Sequence, residues 1–185
     1  MYWFYINTSL KGRFAKKIFA ALIWSWMGDV LLMMVQLNAN FFLFGLGAFL
    51  VAQLAYASAF FEDARTKGDR PIWLIPFAIA FFATNCFLLF GYLAPHLGVL
   101  KIPVLLYAIV ISVMAIMAWS RYGASKGRSY WAIALGAWLF VISDSVLAIN
   151  KFSDPIPNAG LIIMLTYILA QYGITMGAVA RVKNQ

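Results

Sequence analysis

Apolar residues in this chain do not alternate, nor do they recur at every third and fourth position. They come in runs of about twenty, broken by short polar segments that carry Gly, Pro and most of the charges. A bilayer core of about 30 Å is crossed by about 20 apolar helical residues. Six stretches meet that length, at about 18–37, 41–61, 71–93, 97–120, 129–149 and 159–180. The breaks between them fall at Gln36 to Asn40, Glu62 to Arg70, Ala94 to Lys101, Arg121 to Ser129, and Lys151 to Asn158 with its Pro155 and Pro157. The pattern predicts an all-α fold, a polytopic membrane helix bundle with six transmembrane helices in one domain spanning residues 1–185. Basic residues precede the first run, as in a signal peptide. That run is too long for a signal sequence, contains Asp29 and lacks a small-x-small cleavage site, so it is expected to stay as a helix.

Composition agrees. Hydrophobic residues make up 64% and charged residues 11% of the chain, against roughly 45–50% and 25% in soluble domains. The net charge of +8 does not predict a nucleic-acid partner, because the basic residues sit in clusters between apolar runs instead of lining one face. They act as topology signals. Alternate flanks carry twelve Lys and Arg against two on the other side, which predicts both termini in the cytoplasm. The first, third and fifth helices then run outward. The single Cys86 excludes an intrachain disulfide framework and a thiolate zinc site.

Candidate chemistry begins with two carboxylates inside apolar runs, Asp29 and Asp144. An Asp at the centre of a membrane helix costs about 2.5 to 3.5 kcal/mol, and such residues generally mark reaction sites, ion paths or proton relays. Both fall in the outer half of helices that run in the same direction. Asn85, Tyr107, Tyr167 and Gln171 lie at comparable depth, Gln53 and Tyr56 add a polar stripe, and Ser25 precedes Asp29 by one turn. Taken singly, these neutral residues read as interhelical hydrogen-bond partners worth about 0.6 kcal/mol each. Gly28, Gly45, Gly47, Gly136 and Gly177 read as close-packing positions. His96, in an outer loop, offers too few nitrogen or sulfur partners for a zinc site, so no metal is expected. The chain has no phosphate loop.

Several stretches together resemble the bacterial lysoplasmalogenase (YhhN-type) family of membrane proteins. They are Gly28-Asp29-Val30-Leu31-Leu32-Met33, the run from Phe41 to Leu50 around Gly45 and Gly47, Pro103 to Tyr107, Ile142-Ser143-Asp144-Ser145 through Asn150-Lys151-Phe152, and Thr166-Tyr167 with Ala170-Gln171. The resemblance covers about residues 20 to 180. It implies a helical enzyme of a bacterial inner membrane that cleaves the vinyl-ether bond of lysoplasmalogens to a fatty aldehyde and a glycerophospho-alcohol, with residues 29 and 144 at the family's two acidic positions. Family members usually carry two further helices before the first one here, and Gln53 stands where a His is common.

Two carboxylates suit that reaction without any cofactor. Proton transfer to the carbon beta to oxygen gives an oxocarbenium ion, and water then adds to it. Glycosidases divide acid and anion roles between two carboxyl groups against a similar transition state. Asp144 is expected to be the acid, because its neighbours Phe140, Val141, Leu147 and Ala148 are apolar, whereas Asp29 has Ser25 to hydrogen-bond its charged form. Asn85, Tyr107, Asn150, Lys151, Tyr167, Gln171 and Gln53 are expected to bind the lysophospholipid, with Lys101 and Lys151 near its phosphate. Two other readings stay open at this point: a proton- or ion-coupled transporter using Asp29 and Asp144, and a non-catalytic membrane scaffold. Oligomeric state is not legible.

Overall fold

A computed structural model describes residues 1–65, 71–125 and 127–184. Lys67, Arg70 and Lys126, which contribute to the basic count above, lie outside the described residues, as does most of the break expected before Pro71. The described chain is all helical, with seven α-helices: α1 (Tyr2–Thr8), α2 (Gly12–Met33), α3 (Asn40–Ala64), α4 (Leu74–Leu93), α5 (Lys101–Trp119), α6 (Arg128–Phe152) and α7 (Ala159–Lys183). Six of them are long and apolar enough to cross a membrane.

Helix ends differ from the hydropathy pattern for a physical reason. Hydropathy marks where the bilayer core stops, whereas a helix continues as long as its backbone bonds are satisfied. Thus α2 begins at Gly12 and not near 18, carrying Lys16 and Lys17 into its first turns. Lys17 Nζ then reaches Glu62 at 2.6 Å and Ser58 at 2.7 Å on α3. Glu62 and Asp63 belong to the last turn of α3 and not to a loop. The hydropathy pattern gives no sign of the short α1. It docks Phe4, fully buried, in a stack with Phe19 at 6.4 Å.

Neighbours in sequence pair side by side: α2 with α3, α4 with α5, and α6 with α7. The helices α2, α3, α5, α6 and α7 form a ring, with α3 against α5, α5 against α6, and α7 touching α2 at few positions. Helix α4 lies outside, mainly on α5. The tightest seam is α6 on α7. A Cβ added at Gly136 would come within 2.8 Å of the Ala170 carbonyl oxygen, and one at Gly177 within 2.9 Å of the Ser129 carbonyl oxygen. Gly173 makes a similar approach to Ala132 at 2.9 Å, a contact the sequence did not suggest. Gly47, by contrast, has nothing within 4 Å, so the close packing expected there is absent.

At the end of the bundle that holds both termini, Asp63 bridges Arg121 Nε at 2.8 Å and Arg181 Nε at 2.5 Å. The Arg121 side chain is 0% exposed, lies over Phe14 and Phe60, and also bonds Ser129 at 3.3 Å. Burial lowers its guanidinium from the ordinary value, and Asp63 opposes that shift. At the other end, Tyr92 donates to Asp154 at 2.6 Å. With Ser153, it holds that exposed carboxyl below the usual range.

Candidate functional site

Counted from the start of its membrane-spanning helix, Asp29 is the 18th of 25 residues and Asp144 the 17th of 25. Both therefore sit at one level, about two-thirds of the way toward the end opposite the termini. They face one cavity of about 570 Å³ walled by α2, α3, α5, α6 and α7. Four side chains supply most of its polar wall: Asp29, Tyr107, Asp144 and Tyr167. The remainder is chiefly apolar, as at Leu46 and Phe49. The two carboxylates stand within electrostatic range of each other.

Local packing explains why each group points inward. Beside Asp29, Gly28 lets the Phe49 ring approach so closely that an added Cβ would meet it at 2.6 Å. Phe49 in turn meets Tyr167 edge-on at 6.0 Å, and Phe140 meets the same ring at 5.4 Å and 90°. Aromatic pairs favour this edge-to-face geometry because ring edges are positive and faces negative. Tyr167 is thereby held with its hydroxyl donating to Asp29 Oδ2 at 2.9 Å. Behind it, Gln171 Nε2 donates to the Tyr167 oxygen at 3.2 Å, and Tyr56 donates to Gln171 Oε1 at 2.7 Å. On the other wall, the Tyr107 hydroxyl of α5 donates to Asp144 Oδ2. Each carboxylate thus has one tyrosine donor from a different helix. A small pocket of about 40 Å³ adjoins Tyr107 and Asp144 and is lined also by Asn85, Cys86 and Ser112.

Of the residues singled out from sequence, Asp29, Asp144, Tyr107 and Tyr167 share the large cavity, and Asn85 shares the small one with Tyr107 and Asp144. Gln171 lies one shell back and bonds tyrosines. Gln53 is fully buried beside Tyr107, with both side-chain polar atoms outside regular hydrogen-bond geometry. Asn150 Oδ1 accepts the Ile156 N–H at 3.0 Å and so holds the turn between α6 and α7. Lys151 Nζ sits 5.4 Å over the Phe42 ring, and that ring lines the cavity. Lys101 is exposed at the start of α5. Ser25, expected to bond Asp29, instead stands toward Tyr56, and Tyr167 supplies the donor. Sequence reading missed the depth of the Tyr56–Gln171–Tyr167 chain, whose only signal was i, i+3 and i, i+4 spacing of polar residues. It also missed the Asp63 ion cluster, signalled only by acids inside a basic flank.

Compared with known proteins, residues 1–178 match the family described as YhhN. The chain is similar to "Lysoplasmalogenase TMEM86A" of Bos taurus, at 32% identity over 89% of this chain and 66% of that protein. It is equally similar to "Lysoplasmalogenase TMEM86B" of Homo sapiens, at 32% identity over 92% of this chain and 66% of that protein. The "Lysoplasmalogenase" of Mycobacterium tuberculosis (strain CDC 1551 / Oshkosh) is 32% identical over 90% of this chain and 61% of its own length. The chain therefore spans somewhat under two-thirds of the length of these curated relatives. No solved structure matches it.

Proposed function

This chain belongs to the YhhN family, and we propose that it is a membrane hydrolase cleaving the vinyl-ether bond of lysoplasmalogen-type lysophospholipids. The observation that carries the reading is the pair of carboxylates from α2 and α6, each with a tyrosine donor, facing one largely apolar cavity. Its volume falls within the roughly 300–1,000 Å³ of small-molecule sites. The names of its relatives point to the same substrate class.

In the proposed reaction, the Asp144 carboxyl gives its proton to the vinyl carbon beta to oxygen. The double-bond electrons form the new C–H bond, and the ether oxygen lone pair stabilises the cation. Asp29, fixed by Tyr167, faces that cation and takes a proton from water as the water oxygen bonds to the carbon attached to the ether oxygen. The hemiacetal then collapses: its hydroxyl proton leaves, the C–O bond to glycerol breaks, and the glycerol oxygen gains a proton. Return of the Asp29 proton to Asp144 completes the cycle, so one water yields one aldehyde and one glycerophospho-alcohol. The assignment of Asp29 to the anionic role rests on the longer donor chain behind it, since a hydroxyl that accepts one hydrogen bond donates a stronger one. Lys151, at the cavity rim above Phe42, is the proposed phosphate contact. The basic asymmetry supports cytoplasmic termini, and the proposed location is a bacterial inner membrane.

The test is aldehyde release from a 1-alkenyl lysophospholipid by the purified protein in vesicles. Asp29→Asn and Asp144→Asn preserve shape and remove the proton chemistry, so each should lower turnover about 10²-fold or more. The double variant should be little worse than the poorer single one, because parts of one unit are not additive. Near-normal release by both single variants would sink the mechanism.

A further inference from the structure

The cavity wall contains residues that are also strongly exposed on the outside of the bundle. Met33, at the end of α2, is 82% exposed, while Met164 and Ile168 on α7 are 54% and 55% exposed, and all three line the cavity. Gly160 completes an i, i+4, i+8 stripe with Met164 and Ile168 on one face of α7, and open space surrounds its Cα. Helix α7 runs along α6 throughout but meets α2 at few positions. The Asp29–Tyr167 hydrogen bond is where the two helices are tied. At that tie and on the side of it away from the termini, Met33 of α2 and Gly160, Met164 and Ile168 of α7 line the same cavity as both carboxylates.

We infer that the substrate enters sideways from the bilayer, its single hydrocarbon chain passing between α2 and α7 through a slot framed by Met33 and by the Gly160, Met164 and Ile168 stripe. The inference rests on the lysophospholipid reading for the identity of the occupant. It adds the route, and it adds residues that select for a membrane-dissolved, single-chain amphiphile. Three features point to a hydrocarbon chain. The slot opens within the membrane-spanning length of both helices. Its walls are apolar and its far end is the carboxylate pair. Two of its four framing residues are methionines, unbranched side chains that adapt to a sliding chain at little cost. The headgroup then remains at the interface near Lys151, whose ammonium lies over the cavity-lining Phe42.

The experiment uses a readout that does not need turnover. The Met164→Cys variant is labelled with a lipid-soluble maleimide in vesicles, with and without a saturated 1-alkyl ether lysophospholipid that cannot be hydrolysed. Leu165→Cys serves as the control, because Leu165 is 52% exposed on the same helix but does not line the cavity. Signal from Cys86 is subtracted using the unmodified protein. Protection of the Met164→Cys thiol by at least about fivefold, saturable and absent in Leu165→Cys, is the expected result. In parallel, Met164→Trp should lower kcat/KM for vesicle-embedded substrate about tenfold, and Leu165→Trp should leave it unchanged. Equal labelling with and without the lysolipid in both cysteine variants overturns lateral entry, as does a loss of labelling in Met164→Cys that comes only from cross-linking to a second copy. Protection in Met164→Cys with no aldehyde released by the unmodified protein keeps the slot and overturns the hydrolase reading instead.

Discussion

Asp63→Asn offers a sharp test of how the bundle is held at its terminal end, because it removes one charge and almost no volume. In the native protein the Asp63 side chain is 3% exposed and its two oxygens face Arg121 Nε at 2.8 Å and Arg181 Nε at 2.5 Å. Arg121 is fully enclosed, and burial already disfavours its charge, with Asp63 as the opposing influence. With the carboxylate gone, the enclosed Arg121 guanidinium loses its counter-charge at a site closed to water. Breaking a buried ion pair from one side costs about 3–5 kcal/mol, since the remaining charge stays buried and uncompensated. For a chain of this length, about 2–4 °C of Tm accompanies each kcal/mol, so the midpoint should fall by roughly 6–20 °C. The assay is thermal unfolding of the detergent-solubilised protein, followed by tryptophan fluorescence. Adding Arg121→Met to Asp63→Asn restores the balance of charge there, and the double variant should recover part of the loss. A loss below about 1 kcal/mol, or a double variant worse than the sum of the singles, would refute the view that this cluster holds α3, α5 and α7 together at that end.

Three further outcomes follow from the same geometry. Tyr167→Phe removes the donor to Asp29, which in the proposed mechanism is a hydrogen bond to a charged group worth about 1.5–3 kcal/mol; steady-state turnover should fall about tenfold or more, and an unchanged kcat would detach Tyr167 from the chemistry. Gly136→Ala places a methyl 2.8 Å from the Ala170 carbonyl and should destabilise by about 1–3 kcal/mol, whereas Gly47→Ala, with open space around it, should be neutral or slightly stabilising in the same unfolding assay. A reporter fused after Gln185 should be active only in the cytoplasm, and activity outside would reverse the topology drawn from the basic residues.

What the sequence determined by itself was everything that depends on local composition. Runs of about twenty apolar residues mean membrane helices, because an unpaired backbone cannot be tolerated in hydrocarbon and a helix pairs its own. The same runs placed Asp29 and Asp144 at one depth, because rise per residue is constant along a helix. The fold then had to decide matters that composition leaves degenerate. Six apolar helices can be arranged in a ring in many orders, since lipid and helix faces are equally apolar and hydropathy does not rank neighbours. Contact between carbonyls and Cα atoms at Gly136, Gly173 and Gly177 chose α7 as the partner of α6, which is why Tyr167 and Gln171 sit behind Asp29. The identity of each polar partner was equally hidden: Ser25 is nearest to Asp29 along the helix, yet the donor comes from Tyr167, 138 residues away. Helix ends escaped as well, because Lys16, Lys17, Glu62 and Asp63 look like loop residues until the helices extend past the apolar runs and bring Lys17 to Glu62 and two arginines to Asp63. Sequence settles which groups cannot stay in lipid alone; which of them meet is settled by the shape of the interfaces that bring the helices together.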